Sequence, residues 1–211
     1  MIFLSRRRPG TTLVELLLFL AVLSVVLLTV LPLLFLATEN RLFQQTASLV
    51  EQSGAELLQN ISVRIRSAER VLDPPLGSTG SVLTLQTGSG TTNPTIIGVS
   101  NGSLVIIRHA QRQTVSSPQI AVDDFSVRNT SASAERPAVL VSFTLSRTVR
   151  LQAPHVYSRR FEMLVTLPPA DRPTGDDCAC AFPGCGTDGQ YAWQVCEEGV
   201  CLSGSTALDC P

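Results

Sequence analysis

The chain has no lysine: all sixteen of its basic residues are arginine, a bias of composition with no bearing on chemistry. It has two histidines, His109 and His155, and aromatic residues make up 5% of it. Cysteine is absent from the first 177 residues. No P-loop, G-x-S-x-G or H-E-x-x-H pattern is present, so phosphate-cradling, serine-elbow and zincin chemistry have no sequence signature here. Neither histidine has a nucleophile and a carboxylate at triad-like spacing, and both read as surface residues. The sequence therefore points away from an enzyme and calls for no cofactor.

What is present is concentrated at the two ends. Near the N-terminus, Arg6-Arg7-Arg8 precedes Pro9-Gly10-Thr11-Thr12-Leu13-Val14-Glu15, and an apolar run from Leu16 to Ala37 follows. About 20 apolar residues suffice for a helix to cross the hydrocarbon core of a bilayer. The arginines place the N-terminus on the cytoplasmic side, which puts the remainder outside. An ordinary secretory signal has a shorter apolar stretch and a small-residue cleavage site; here Thr38-Glu39-Asn40-Arg41 follows instead. A plain signal-anchor accounts for the arginines and the run, but not for a glycine and a carboxylate at this spacing. A carboxylate at the edge of an apolar span is costly and calls for a partner.

At the other end lie all six cysteines: Cys178, Cys180, Cys185, Cys196, Cys201 and Cys210. An even number in a short segment outside the cytoplasm predicts a disulfide framework, with fifteen pairings open. The spacing does not match the C-x2-C pairs of structural zinc, and no metal is expected. Asp176-Asp177 and Asp188-Gly189 raise calcium, but their spacing fits no calcium loop and acidic turns are the simpler reading. Tyr191 and Trp193 read as the core of a small bridged module or as exposed anchors. Charge divides here too. Residues 38–170 carry twelve Arg against nine Asp/Glu, whereas residues 171–211 carry one Arg against seven acids.

Between the ends, Leu42, Leu49/Val50, Leu57/Leu58, Ile61, Ile65, Ala68 and Leu72 recur at three- and four-residue steps. That spacing predicts one helix from about Thr12 to about Leu72, amphipathic in its second half and ended by Pro74-Pro75. Pro32 predicts a kink and Gly54 a point of flexibility. Ser81–Gln86, Thr95–Ser100, Ser103–Arg108, Asp123–Arg128, Ala138–Arg147 and Tyr157–Leu167 read as strands, with Asn101-Gly102 as a hairpin turn. Thr87–Pro94 and Arg112–Pro118 read as loops, and Asp123-Asp124 as a solvated turn. The expected class is α+β, a long N-terminal helix on an antiparallel sheet followed by a disulfide-rich tail. The expected division is 1–10 leader, 11–37 membrane half of the helix, 38–76 amphipathic half, 77–168 sheet domain, 169–177 linker and 178–211 cysteine-rich tail. The arginines of 38–170, among them Arg64, Arg108 and Arg112, are interleaved with acids, which argues against a nucleic-acid surface.

The junction G-T-T-L-V-E resembles the processing site of type IV prepilins and type II secretion pseudopilins. The resemblance implies cleavage after Gly10 by prepilin peptidase, N-methylation of Thr11, and a role for Glu15 in filament assembly. Thr11 stands where that family usually carries Phe or Met. The element order is similar to the pilin fold, closest to the larger minor pilins, and a proline such as Pro32 in the helix also resembles the family. The partners so implied are the peptidase, other pilin or pseudopilin subunits, an inner-membrane assembly platform and membrane lipid. The implied location is the inner membrane, then a filament, with the globular part displayed for tip, adhesion or partner contacts. The competing class is a membrane-tethered binding module that does not assemble.

Overall fold

A computed structural model describes residues 12–88, 92–109, 111–131, 137–150, 154–168, 180–181, 183–186, 189–197 and 199–208. The fold is α+β: one long helix and three antiparallel sheets. The chain divides into two units, Met1–Gln45 and Thr46–Pro211.

Helix α1 runs from Leu13 to Arg66 and continues through Pro32. In the first unit every side chain from Thr12 to Thr38 is exposed. The hydroxyls inside this apolar stretch turn back onto the helix: Ser24 donates to the Leu20 carbonyl at 2.7 Å and Thr29 to the Val26 carbonyl at 2.9 Å. Such bonds satisfy a polar group without any partner outside the helix.

In the second unit α1 buries Thr46, Val50, Gly54, Leu57, Ile61 and Ile65. The sequence reading carried the helix to Leu72; it ends at Arg66 instead. Arg70–Asp73 forms a strand, β1, and the Glu69 amide donates to the Gln86 carbonyl at 2.9 Å. Val71-Leu72 is a short apolar run, which suits strand or helix equally, and the neighbouring strand decides the outcome. Pro74-Pro75 thus terminates β1, not α1.

The five-stranded sheet has the order β1, β3 (Leu83–Gln86), β4 (Thr95–Ser100), β5 (Ser103–Arg108), β6 (Gln111–Thr114). Asn101 and Gly102 make the β4–β5 turn with φ of 52° and 68°, as a two-residue hairpin of this sequence requires. β6 replaces the front of the expected Arg112–Pro118 loop. All four of its residues are exposed, so this edge strand carries no apolar alternation for a sequence reading to find.

The four-stranded sheet has the order β2 (Thr79–Gly80), β7 (Ala121–Asn129), β8 (Ala138–Arg150), β9 (Pro154–Thr166). Asp123 and Asp124 are not a turn before a strand. They lie within β7, where the register shifts between Asp123 and Ser126 and Asp124 takes a φ of 50°. A bulge of this kind places one extra residue against the partner strand. The main core joins Val50, Leu57, Ile61 and Ile65 of α1 to Leu83, Leu85, Ile97, Leu104 and Ile106 of one sheet and Val127, Val139, Val141, Phe143 and Val165 of the other.

Gly54 is a close-approach site, not a hinge. A Cβ built there would fall on the ring of Phe161, so only glycine lets α1 meet β9 at that point. The third sheet, β10 (Gly184–Cys185), β11 (Gln190–Glu197) and β12 (Val200–Ala207), gathers the cysteine-rich segment.

Candidate functional site

The processing pair Gly10 and Thr11 lies outside the described residues. Its neighbour Glu15 is described and has a local structural role. Thr12 precedes α1, its Oγ1 accepts from the Glu15 amide at 3.3 Å, and its carbonyl accepts from the Leu16 amide at 3.1 Å. Thr12 is therefore an N-cap, and Thr12-Leu13-Val14-Glu15 has the T-x-x-E spacing of a capping box. Glu15 occupies the first helical turn, where the helix dipole favours a carboxylate. The T-x-x-E signal was present in the sequence but was hidden inside the longer junction motif. The helix that follows is long and apolar enough to cross a membrane.

Of the cysteines, Cys180 and Cys201 form a disulfide across 21 residues. Cys185 and Cys196 are disulfide-bonded as well, and Cys178 and Cys210 lie outside the described residues. Cys196 stands directly opposite Cys201 in the β11–β12 register, yet Cys201 bonds to Cys180. Cross-strand proximity alone does not choose the pairing.

The aromatic pair of this segment divides in role. Tyr191 is 1% exposed and belongs to a second core with Val82, Ile96, Val105, Ile107 and Leu208, with Trp193 packed partly against it. These strands are therefore roofed onto the outer face of the five-stranded sheet and share its core. The Tyr191 hydroxyl donates to Asp73 Oδ2 at 2.6 Å and lies 2.6 Å from Thr84 Oγ1. Burial is the main reason the Asp73 carboxyl is pushed above the usual range, and the bond from Tyr191 opposes that rise. Burial, then the Asp73 charge and the bond to it, push the Tyr191 phenol well above its ordinary value. Sequence reading missed this network because 118 residues separate Asp73 from Tyr191.

The histidines take structural positions. His109 closes the β5–β6 connection with a φ of 53°, its amide donating to the Pro94 carbonyl at 3.0 Å, and His155 is exposed on β9. Among the described residues no three His, Cys, Asp or Glu side chains gather in a metal-like group; Asp176, Asp177 and Asp188 lie outside them. A cleft of about 230 Å³ runs between β1 and the tail strands, lined by Arg70, Leu72, Cys180, Pro183 and Gln194 among others. Among the described residues its lining has no carboxylate or histidine.

Several arginines are engaged by groups of the chain itself. Arg159 pairs with Glu51 at 2.6 Å, Arg70 donates to Gln86 at 2.8 Å, and Arg112 reaches the Ala207 carbonyl at 3.4 Å. Burial, then the charge of Arg108 on β5, hold the Arg64 guanidinium on the last turn of α1 below its ordinary value. No protein-family profile, curated protein or solved structure matches the chain.

Proposed function

We propose that this chain is a pilin-type filament subunit, a minor pilin or pseudopilin, cut after Gly10 and assembled through the apolar half of α1. The observation that carries the reading is the Gly10–Glu15 junction, set between three arginines and an apolar helix. Cleavage there removes the arginines that hold the leader in the cytoplasm and leaves a charged α-amino group on Thr11. Glu15 lies about one turn further on, so a neighbouring copy's amine can neutralise it inside an otherwise apolar bundle. The pairing is selective for register, because a shifted neighbour leaves both charges unpaired in a low-dielectric setting. Supporting features are the exposed run from Thr12 to Thr38 and the amphipathic continuation of α1 on antiparallel sheets. In this reading the sheets and the bridged tail are displayed at the filament surface or tip, for adhesion or partner contacts.

The deciding experiment is mass spectrometry of the mature N-terminus, in membranes with and without prepilin peptidase. A peptide beginning at N-methylated Thr11, found only with the peptidase, is the expected result. An intact Arg6–Gly10 leader in both samples overturns the filament reading and leaves a tethered extracytoplasmic module.

A further inference from the structure

A second cleft, of about 320 Å³, opens where the two main sheets meet, between the β4–β5 turn, the segment that enters β7 and the later part of β8. Its polar lining is Asn101, Ser103, Gln119, Ser146, Arg147 and Thr148. Ile120, a residue of the main core, also lines it. Two contacts fix the walls. The Val122 amide donates to the Gly102 carbonyl at 2.9 Å, which ties the turn to β7. Ser146 Oγ donates to Asp123 Oδ2 at 2.6 Å, which ties β8 to the bulged part of β7. Bulges are frequent beside functional sites, where they re-aim a side chain. Here the bond keeps the Asp123 carboxylate engaged with Ser146, and among the described residues no carboxylate or histidine lines the cleft. Ser146 therefore has its partner within the chain. The side chains of Asn101, Ser103, Gln119, Arg147 and Thr148 have no hydrogen-bond partner among the described residues. Arg147 is half-buried, yet the ion pair that forms among those residues is Arg159–Glu51. The cleft thus presents one uncommitted guanidinium ringed by uncommitted amides and hydroxyls, on walls already held in place.

We propose that this cleft binds an acidic monosaccharide, a hexuronate, with Arg147 on the carboxylate and Asn101, Ser103, Gln119 and Thr148 on the ring hydroxyls. Side-chain amides and hydroxyls both donate and accept, which is what a ring of sugar hydroxyls requires. A guanidinium fork holds a carboxylate at two points. One uncommitted cation among neutral groups suits a single carboxylate, whereas a nucleic acid needs a row of cations along its phosphates. Ligand clefts run from about 300 to about 1,000 Å³, so this one is the size for a single ring and not for a long chain buried end to end. No aromatic side chain lines it among the described residues, so the ring is held by its hydroxyls and its carboxylate, not by stacking. The proposal is independent of the filament reading, because the cleft requires neither cleavage nor assembly.

The test is ligand-observed NMR titration of the purified full chain in detergent micelles with glucuronate, galacturonate, glucose and acetate. The expected result is that at least one of the two hexuronates binds, about tenfold or more tighter than glucose or acetate, since each of those offers only half of the recognised groups. Arg147→Gln lowers hexuronate affinity about tenfold, to the level of glucose, and leaves glucose unchanged. Gln119→Ala, an exposed change, weakens hexuronate and glucose alike. Arg66→Gln, an exposed arginine on α1, alters neither. A thermal melt of each variant checks folding; if Arg147→Gln unfolds, Gln119→Ala decides, and unchanged hexuronate affinity there overturns the proposal. It is also overturned if neither hexuronate binds, if acetate or glucose binds as tightly as they do, if a folded Arg147→Gln keeps full affinity, or if Arg66→Gln loses as much.

Discussion

Asp73 and Tyr191 show how a single bond joins distant parts of this chain, and their titration gives it a pH signature. Burial raises the Asp73 carboxyl, so the folded chain keeps that proton at a pH where the unfolded chain has released it. Stability from Asp73 is therefore greatest in acid and is lost as pH rises from the ordinary aspartate value of about 3.9 through the raised folded one. Tyr191 is also raised, so its contribution is intact below about 10 and is lost above it, where the unfolded phenol ionises first. Asp73→Asn should remove the acid-side slope from a stability-against-pH profile measured by denaturant unfolding. Tyr191→Phe should cost about 1–3 kcal/mol, because it leaves the fully buried Thr84 hydroxyl and the Asp73 carboxylate without this partner. None of the three residues was legible as a site. Tyr191 stood out in sequence only by its place among cysteines, while Asp73 and Thr84 look like ordinary strand polar residues. Glu15 was legible through the junction motif, but the Thr12 cap that its amide completes was not read, because T-x-x-E lies inside that motif.

Elements were readable where one face is buried and the other is wet. The stripe Val50, Leu57, Ile61, Ile65 marked the core face of α1 because helical spacing and burial coincide. The Asn101-Gly102 hairpin was readable because only a few residues accept positive φ in succession. β6 was not, since all its residues face water, and β1 was not, since its pairing with β3 is a long-range decision. Gly54 was misread because sequence gives its flexibility and not the aromatic ring above it. Gly54→Ala should raise helix propensity yet lower stability by about 1–3 kcal/mol in a thermal melt, the cost of overpacking against Phe161. Phe161→Leu, which shortens the obstructing ring, should recover much of that loss in the double variant. For the tail sheet, Cys180→Ser with Cys201→Ser opens a loop of 21 residues and should cost about 3 kcal/mol. Limited proteolysis should then cut first within residues 180–208, with the main sheets resisting longer.

For the whole molecule, the α+β class and the two-part use of α1 followed from the sequence, because a long apolar run and an amphipathic repeat are both one-dimensional signals. The packing of the tail on the outer face of the five-stranded sheet did not, since composition marked residues 171–211 as separate while Tyr191 and Leu208 enter a core shared with Val82, β4 and β5. At this scale Glu15→Ala should leave membrane insertion and the ectodomain melt unchanged, while incorporation into a sheared filament fraction falls at least about tenfold, the effect of about 1.4 kcal/mol; equal incorporation would count against the assembly role. The roof formed by Tyr191 and Leu208 also bears on how the chain is made. Val82, Ile96, Val105 and Ile107 are synthesised long before Tyr191 and Leu208, which cover them. Until the final strands have been made and have folded down, one face of the sheet stays open to chaperones and proteases. A chain arrested before Leu208 is thus marked as unfinished by its own exposed valines and isoleucines, and the last strands to arrive act as the seal on a completed fold.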